Sequence, residues 1–259
     1  MKTAPLPITT AVACAFSFAV ADAATLNATY EFTNILDADQ SGVPALTATN
    51  PLGQNTFLTE TVFGQMDTVY RFDGNASPAT EQAGLSLNTT GLLTPNNYSV
   101  EMVFSFDPTA NYRRVIDVQD RQSDNGFYVD PTSHLNVFPA SGGGPNSFTP
   151  GYHHVILTVA LDGTVKGYID GLTDFSTTTT VMNISNSASN TMNFFLDNVV
   201  GNGQGEYSDG KIAQLRLYDG VLTDSEALAL SQNPLVPEPA SGALLGLGTV
   251  LLLRRSRKA

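Results

Sequence analysis

Apolar and polar residues alternate along many short segments of the chain. In SVEMVFSF, residues 99–106, the side chains of Val100, Met102, Phe104 and Phe106 share one face of an extended strand, and Glu101 lies on the other. Such segments recur between clusters of Gly, Pro, Asn and Asp. This pattern is typical of a sandwich of two antiparallel sheets, so we expect an all-β fold in which one face of each strand is core.

The strands can be placed along the sequence. The segment HHVILTVALDGTVKGYIDG contains two of them, at residues 153–161 and 165–169, joined by Asp162-Gly163. Both residues of this pair tolerate positive φ, which favours a tight turn, so the two strands are predicted to be antiparallel neighbours. Further strands are predicted at residues 29–35, 68–72, 84–87, 114–118, 126–129, 134–138, 173–179, 191–198 and 211–218.

One segment, LTDSEALALSQNP at residues 222–234, has the pattern of a helix. Thr223 and Glu226 have the spacing of a capping box, in which two side chains satisfy free backbone N–H groups of the first turn. Asn233-Pro234 ends the run, because proline cannot continue a helix. We therefore predict a single short helix near the end of the domain.

The start of the chain differs from the middle in composition. Residues 1–23 contain one cation, Lys2, then an apolar stretch around residues 11–20 and small residues at Ala21 and Ala23. This order predicts a secretory signal peptide that is cleaved after residue 23 or 24.

The end of the chain is also distinct. Residues 240–253 are apolar, and a basic cluster at residues 254–258, beginning with Arg254 and Arg255, follows them. As a helix the apolar segment would be about 21 Å long, which is short for a permanent membrane span. Basic residues stay on the cytoplasmic side, so we expect the segment to insert in a membrane with its C-terminus inside.

Residues 24–234 are long enough for one domain with a full-sized core. They contain no cysteine, so an exported domain here depends on packing and bound ions rather than on disulfides. Seven Lys and Arg against 22 Asp and Glu give these residues a net charge of −15. Such a surface repels nucleic acid and anionic lipid. Its acids either attract divalent cations or serve solubility alone.

Two sequence features resemble binding motifs, a phosphate loop and a metal site, but the residues do not support either. GEYSDGK, residues 205–211, has the spacing of a phosphate loop, but Ile212 follows where Ser or Thr would hold magnesium, and the next residues alternate as a strand. We interpret it as a turn before a strand. His153 and His154 are adjacent on a predicted strand and point to opposite faces, so they cannot share one metal. A structural role is the favoured interpretation.

Paired carboxylates are the remaining route to catalysis. Glycoside hydrolysis needs two carboxyl groups about 5 to 10 Å apart, and the candidate pairs for it are Asp37/Asp39 and Asp170/Asp174. These acids lie in turn sequences, however, where Asp usually serves the backbone. No nucleophile elbow for a serine triad occurs either.

Several segments together resemble laminin G-like domains of the concanavalin A-like jelly roll. They are FDG at residues 72–74, NNYSVEMVFSFD at 96–107, GYHHVILTVALDGTVKGYIDG at 151–171 and SDGKIAQLRLYDGVLTDSEALAL at 208–230. The resemblance implies two stacked antiparallel sheets of about 12 to 14 strands, with a partner site on the concave face or a rim, often near calcium.

The departures from this family bear on function. The family often has Trp at the positions of Val103 and Tyr152, and this chain has no Trp, so only Tyr and Phe remain as platforms for sugar rings. Ala213-Gln214 stand where the family often has Asp-Glu. The E-x-D-x-x-E strand of laminarinase-type relatives is absent from the sequence. The resemblance therefore points away from that enzyme class.

The end of the chain, residues 235–259, resembles the PEP-CTERM sorting signal. Val236, Pro237, Glu238 and Pro239 form the motif, and the apolar segment and basic cluster follow in the order of that family. The resemblance implies that an exosortase, a membrane protease, recognises the tail and cuts near the motif, so that the tail is in the inner membrane only transiently. The protein would then reach the cell surface or the extracellular medium, where such proteins accompany exopolysaccharide and biofilm.

The sequence thus predicts an exported, non-catalytic domain that binds polysaccharide or another surface component. The alternatives left open are a polysaccharide-active hydrolase or lyase and a structural biofilm protein without a small ligand. Calcium is the one cofactor considered, with Asp197, Asn198 and Asp209, which flank a glycine-rich loop, as its expected ligands.

Overall fold

A computed structural model describes residues 23–107, 111–200 and 205–235. The strands form two antiparallel sheets that pack face to face, and one short helix lies near the end of the domain. The expected all-β jelly-roll fold is therefore confirmed. The predicted signal peptide, apart from Ala23, and the sorting motif, apolar segment and basic cluster of the tail lie outside the described residues.

The elements within the described residues have the following bounds: β1 Thr25–Tyr30, β2 Thr47–Thr49, β3 Thr56–Val62, β4 Gln65–Phe72, β5 Gly84–Asn88, β6 Tyr98–Phe106, β7 Arg113–Asp117, β8 Gly126–Val129, β9 Leu135–Phe138, β10 Ser141–Gly142, β11 His153–Val159, β12 Thr164–Ile169, β13 Leu172–Thr178, β14 Thr191–Phe194, β15 Gly210–Asp219 and α1 Asp224–Ser231.

We refer to the two sheets as sheet I and sheet II. Sheet I has the order β13-β12-β11-β6-β15-β4-β3, and β1 also pairs with β15. Sheet II has the order β10-β9-β8-β7-β14-β5-β2. Alternate residues of both sheets meet in one buried apolar core, in which stacked and edge-on rings such as Phe72, Phe104 and Phe195 are in contact. Inward apolar positions that alternate with outward ones are what this sandwich requires.

The predicted face of β6 is correct, but its other face is buried as well. Every residue of β6 is buried, because the outer face of sheet I, turned away from sheet II, is itself covered. On this outer face Glu101 accepts a hydrogen bond from the hydroxyl of Tyr218 at 2.6 Å and lies 2.8 Å from His154 Nε2 and 3.2 Å from Arg216 Nη1. A charged network thus occupies a place where the alternation alone indicated solvent.

The C-terminal part of the domain supplies this cover. Helix α1 begins with the predicted capping box, in which Thr223 and Glu226 satisfy each other's backbone N–H groups. It packs over a small apolar cluster on β11, β12 and β15 that includes Tyr168 and Tyr218. The chain then crosses the sheet, and Leu235 packs against a second cluster formed by Val62, Val69, Val103 and Ala213.

Most predicted strands are confirmed, with shifts at their ends. Strands β11 and β12 are antiparallel neighbours, as predicted. Their turn is longer than the tight one expected: the N–H of Ala160 donates to the carbonyl of Thr164, the carbonyl of Ala160 accepts from the N–H of Gly163, and Gly163 has φ of 83°. The predicted strand at residues 29–35 ends early at Tyr30, because Phe32 and Asn34 adopt positive φ. The short or edge strands β2, β3 and β10 were not predicted.

Candidate carboxylate and aromatic site

The outer face of sheet II carries polar side chains at the centre of the sheet. Arg114 on β7 is opposite Tyr128 on β8, and Tyr128 is opposite Asn136 on β9. Their neighbours in sequence, among them Val129 and Leu135, point into the core, so these three side chains point away from it. All three are nevertheless buried, because loops at this end of the sandwich lie over them.

Arg114 is the cation at the centre of this face. Its Nη1 lies 3.1 Å from Asp117 Oδ1, its Nε lies 3.2 Å from Asp197 Oδ1, and its Nη2 bonds to the hydroxyl of Tyr128. The guanidinium lies over β8, with its Cζ 4.6 Å from the centroid of the Tyr128 ring. Gly126 leaves room for it, since a Cβ atom at this glycine would be 2.9 Å from Arg114 Nη1. The arginine is therefore fixed by contacts on several sides.

Three carboxylates gather beside this arginine. Asp124 lies in the loop between β7 and β8, Asp197 follows β14, and Glu206 precedes β15. One oxygen of each lies within 4.8 Å of an oxygen of both others. Asp197 is fully buried, Glu206 is partly buried, and Asp124 is exposed, so the cluster opens to solvent on the Asp124 side.

Backbone contacts hold the cluster together. Asp197 accepts hydrogen bonds from the backbone N–H groups of Asn198, at 2.7 Å, and Glu206, at 3.2 Å. The backbone oxygen of Glu206 accepts a bond of 2.8 Å from Arg114 N, which fixes this residue to the edge of β7. The cluster is thus built by three separate parts of the chain that only the fold brings together.

Crowding raises the proton affinity of the cluster. Burial, followed by the charges of Asp124 and Asp197, raises the pKa of Glu206 from its ordinary value of 4.5 to about 7. Burial also raises the pKa of Asp197, although the charge of Arg114 opposes this. With all three acids ionised, the cluster carries a charge of −3, and Arg114, which also pairs with Asp117, offsets only part of it. A divalent cation would offset most of the remainder.

The donor set fits calcium better than a transition metal. Hard cations such as Ca²⁺ take oxygen ligands at about 2.4 Å, so two ligands of one ion are at most about 4.8 Å apart. The three carboxylates meet this limit. Asp124, Asp197 and Glu206 would hold the ion, and the open side next to Asp124 leaves room for further oxygen ligands from water or a sugar.

The structure does not bring the three expected calcium ligands together. Asp197 lies in the cluster. Asn198 lies beside the cluster, and its Nδ2 donates to Asp124 Oδ1 at 3.2 Å. Its side chain therefore turns a nitrogen toward the cluster and orients Asp124. Asp209 lies outside the cluster, because its residue leads into β15 next to β4, and its Oδ1 accepts a bond of 2.9 Å from Gly74 N.

An aromatic pair is connected to the cluster through Tyr128. The ring of Tyr112 lies 5.7 Å from that of Tyr128 and 6.4 Å from that of Phe138, measured between centroids. Phe138 is 38% exposed and Tyr112 is partly exposed. Tyr128 connects the pair to the acids, since its hydroxyl donates to the backbone oxygen of Asp124 at 2.7 Å. Exposed ring faces next to polar groups are typical of sites for ligands with both apolar and hydroxyl surfaces.

Sequence reasoning missed Tyr112, Asp124, Phe138 and Glu206. Asp124 stands in SDNG and reads as a turn residue, and Glu206 reads as part of a loop before a strand. No local pattern relates these positions, which are far apart in the sequence. The pairing of β7 with β8 and β14 brings Asp124 and Asp197 together, and the backbone contact between Arg114 and Glu206 adds the third acid.

His153, His154, Asp170 and Asp174 have structural contacts. His153 Nδ1 lies 2.8 Å from Asp170 Oδ2, whereas His154 Nε2 lies against Glu101 on the outer face, so the histidines do point to opposite faces. Asp174 is buried and accepts bonds of 2.9 and 3.0 Å from the backbone N–H groups of Leu135 and Asn146. Asp37 and Asp39 are exposed.

A family model described as the concanavalin A-like lectin/glucanases superfamily matches residues 79–227, more than half of the chain. The chain belongs to this superfamily. A second model, the PEP-CTERM protein-sorting motif, matches residues 235–258, which indicates an exported protein that an exosortase processes. No curated protein matches the sequence significantly. Among the described residues, we find no helix with the length and apolar character that a membrane crossing requires.

Solved structures show the same fold at low identity. Domain 4 of an extracellular GH43 arabinanase from Geobacillus stearothermophilus, in complex with arabinotriose, has a TM-score of 0.59 and 22% identity over 81% of this chain and 99% of that one. The binding domain of botulinum neurotoxin DC in complex with SialylT has a TM-score of 0.55 and 12% identity over 83% of this chain. This chain spans about half the length of that toxin domain, 52%.

Proposed function

We propose that this protein is an exported, non-catalytic module of the cell surface or extracellular matrix that binds polysaccharide through the outer face of sheet II. The observation that carries the proposal is the link through Tyr128 between the Tyr112–Phe138 pair and the carboxylate cluster: the ring of Tyr128 lies 5.7 Å from that of Tyr112, and its hydroxyl donates to the backbone oxygen of Asp124. A sugar ring has an apolar face that packs on an aromatic ring and hydroxyl groups that bond to carboxylates or to a bound cation.

Calcium completes this site in the proposal. Asp124, Asp197 and Glu206 hold the ion, and the aromatic pair supports the sugar. The solved arabinanase domain was determined with arabinotriose, which is in keeping with a role in sugar binding for a domain of this fold. After sorting of the tail by an exosortase, the domain would remain outside the inner membrane and contact the polymer there.

The test is binding of residues 24–235 to a panel of immobilised polysaccharides, with calcium or with EDTA. We expect calcium-dependent retention of at least one polymer, and Phe138→Ala and Tyr112→Ala each to weaken it by roughly tenfold, the value of one aromatic contact. Leu172→Ala is the matched control, since Leu172 is exposed on sheet I. Retention of no polymer in either buffer would favour a structural matrix protein without a small ligand.

A second candidate function rests on Glu206 itself. A carboxyl group with a pKa of about 7 beside two other carboxylates has the proton affinity of a general acid in glycoside hydrolysis. Incubation of a bound polymer with the protein, followed by sizing of the products, separates the two functions. Shortened oligosaccharides that disappear with Glu206→Gln would establish the enzyme, and an unchanged polymer supports the binding module.

A further inference from the structure

The turn between β3 and β4 has an unusual residue at its tip. Val62 pairs with Gln65, so Phe63 and Gly64 form a two-residue turn, with φ of 49° and 82°. Positive φ at both positions is the geometry for which Asn-Gly is preferred. A bulky aromatic residue rarely adopts this conformation. Phe32 and Phe195 also have positive φ but are buried in the core, whereas Phe63 is exposed, so core packing does not account for its conformation.

The tip is also apolar and exposed. Phe63 is 45% exposed and Met66, just after the turn, is 69% exposed. Residues 61–66 carry no charge in a chain with a net charge of −12. An acid lies on each side of these residues: Glu60 is paired with Lys211 at 2.8 Å, and Asp67 is partly buried and accepts a bond of 2.8 Å from Thr68 N. The tip itself therefore presents no charge to a lipid surface, and the acids next to it have partners within the domain.

The tip belongs to the same region as the exit of the chain from the domain. Val62, next to Phe63, is buried in the apolar cluster on the outer face of sheet I, and Leu235, the last described residue, packs against that cluster. The apolar segment of the tail begins at Ala240 in the sequence. The five residue steps between Leu235 and Ala240 reach at most about 18 Å, even when fully extended.

We propose that the β3–β4 tip contacts the lipid surface while the apolar tail is inserted in the membrane, so that Phe63 and Met66 enter the interface. The proposal rests on the sorting role of the tail. With its exit point held within about 18 Å of the apolar segment, the domain has its outer face of sheet I close to the bilayer. Aromatic and apolar side chains are favoured at the bilayer interface.

The absence of Trp from the sequence makes a direct test available. Phe63→Trp in a chain of residues 24–259, called full-length below because the signal peptide is predicted to be removed, is reconstituted in phosphatidylcholine vesicles, and the single indole is monitored by its emission and by quenching with brominated lipid. We expect a blue shift and quenching in the full-length protein, and neither in a chain that ends at Leu235. Met66→Trp is a second reporter in case the substitution at position 63 disturbs the turn, and it should behave in the same way.

Leu172→Trp is the matched control. Leu172 is 56% exposed and lies on β13, at the opposite edge of sheet I. Its indole should remain unquenched in the same vesicles. Equal quenching at positions 63 and 172, or none at positions 63 and 66 in protein that floats with the vesicles, would overturn the proposal. A blue shift that arises from polysaccharide or from a second copy, without vesicles, would also overturn it.

The same measurements separate this proposal from the proposed function. If the full-length chain does not float with vesicles, the tail does not insert, and both the tether and the sorting role fail. If it floats but the reporters at the tip stay in water, only the tip contact fails. Polysaccharide binding involves the other sheet and is measured independently in each variant. Phe63→Asn should fold at least as well as the native chain, because Asn suits this turn, while losing contact with lipid.

Discussion

Glu206 decides the charge of the carboxylate cluster. Its pKa of about 7 means that the proton on this residue comes off near neutral pH, whereas in the unfolded chain it comes off near 4.5. Between these values the folded protein binds more protons than the unfolded chain, so the free energy of unfolding falls as pH rises through this window. A bound cation would replace the proton and remove the loss.

Glu206→Gln tests this behaviour. In the absence of calcium, we expect the stability of the native protein to decline from about pH 5 to pH 7, and the variant to show a smaller decline because its amide does not ionise. The variant should also bind calcium more weakly. The measurements are urea unfolding across this pH range and calcium titration at about pH 8, above the raised pKa. An equal decline in both proteins would contradict the assignment of the raised pKa to Glu206.

Glu101 presents the opposite case of a buried acid with matched partners. Burial alone would raise the pKa of Glu101, but the hydrogen bond to His154 and the charge of Arg216 outweigh burial and lower it. Its contribution to stability is therefore present above the ordinary pKa of 4.5 and is lost as pH falls through the lowered value.

Substitution of Glu101 and of Glu60, which both lie on the outer face of sheet I, compares a buried ion pair with a partly exposed one. Glu101→Gln leaves Arg216 without its full countercharge and should cost about 3 to 5 kcal/mol, the usual result of breaking a buried pair. Glu60→Gln, at a partly exposed pair with Lys211, should cost under about 1 kcal/mol. Urea unfolding at neutral pH measures both. Similar losses of unfolding free energy at the two positions would show that burial does not determine how much each ion pair contributes to stability.

Of the individual site residues, the sequence predicts only some. Asp197 is expected among the metal ligands because it flanks a glycine-rich loop, and it does lie in the cluster. Asp124 and Glu206 could not be found, since Asp124 is placed by the pairing of β7 with β8 and Glu206 by a backbone contact with Arg114 from the segment before β15. Asp209 was chosen by proximity in sequence, which says little about proximity in space once a strand begins at Gly210.

Among the elements, those with strong local signals were predicted best. The capping box placed the start of α1, and the segment after Asp162-Gly163 was correctly assigned as the neighbour of β11. Strand β3 was missed because it lies at the edge of sheet I with partly exposed residues and little alternation in burial. Alternation also failed to show that the outer face of sheet I is covered, because that depends on where the C-terminal segment packs.

This C-terminal segment should contribute to stability as an element. Leu235→Ala removes apolar contacts with the cluster around Val103 and should lower the free energy of unfolding by about 1 to 2 kcal/mol. Leu228→Ala, on the exposed side of α1, is the control and should have little effect. Thermal melting of residues 24–235 measures both. A loss at position 228 as large as that at 235 would contradict the packing role of Leu235.

For the molecule as a whole, calcium should act as a stabilising ligand. The domain has no disulfide and an excess of acids, so neutralising the cluster relieves repulsion that packing alone must otherwise overcome. Calcium at about 100 times its Kd should add about 2.7 kcal/mol, or roughly 5 to 10 °C in Tm for a domain of this size. Scanning calorimetry with calcium and with EDTA checks this. Unchanged melting would argue against a structural calcium.

The two lysines of residues 24–234 give the molecule a chemical asymmetry. Lys166 pairs with Asp224 at the start of α1, and Lys211 pairs with Glu60, so both amino groups lie on the outer face of sheet I. Ala24, at the start of the domain, packs on the same face. Amine-directed biotin would therefore label one side only, and a sensor surface loaded in this way would display the aromatic pair of sheet II toward the solution in every copy.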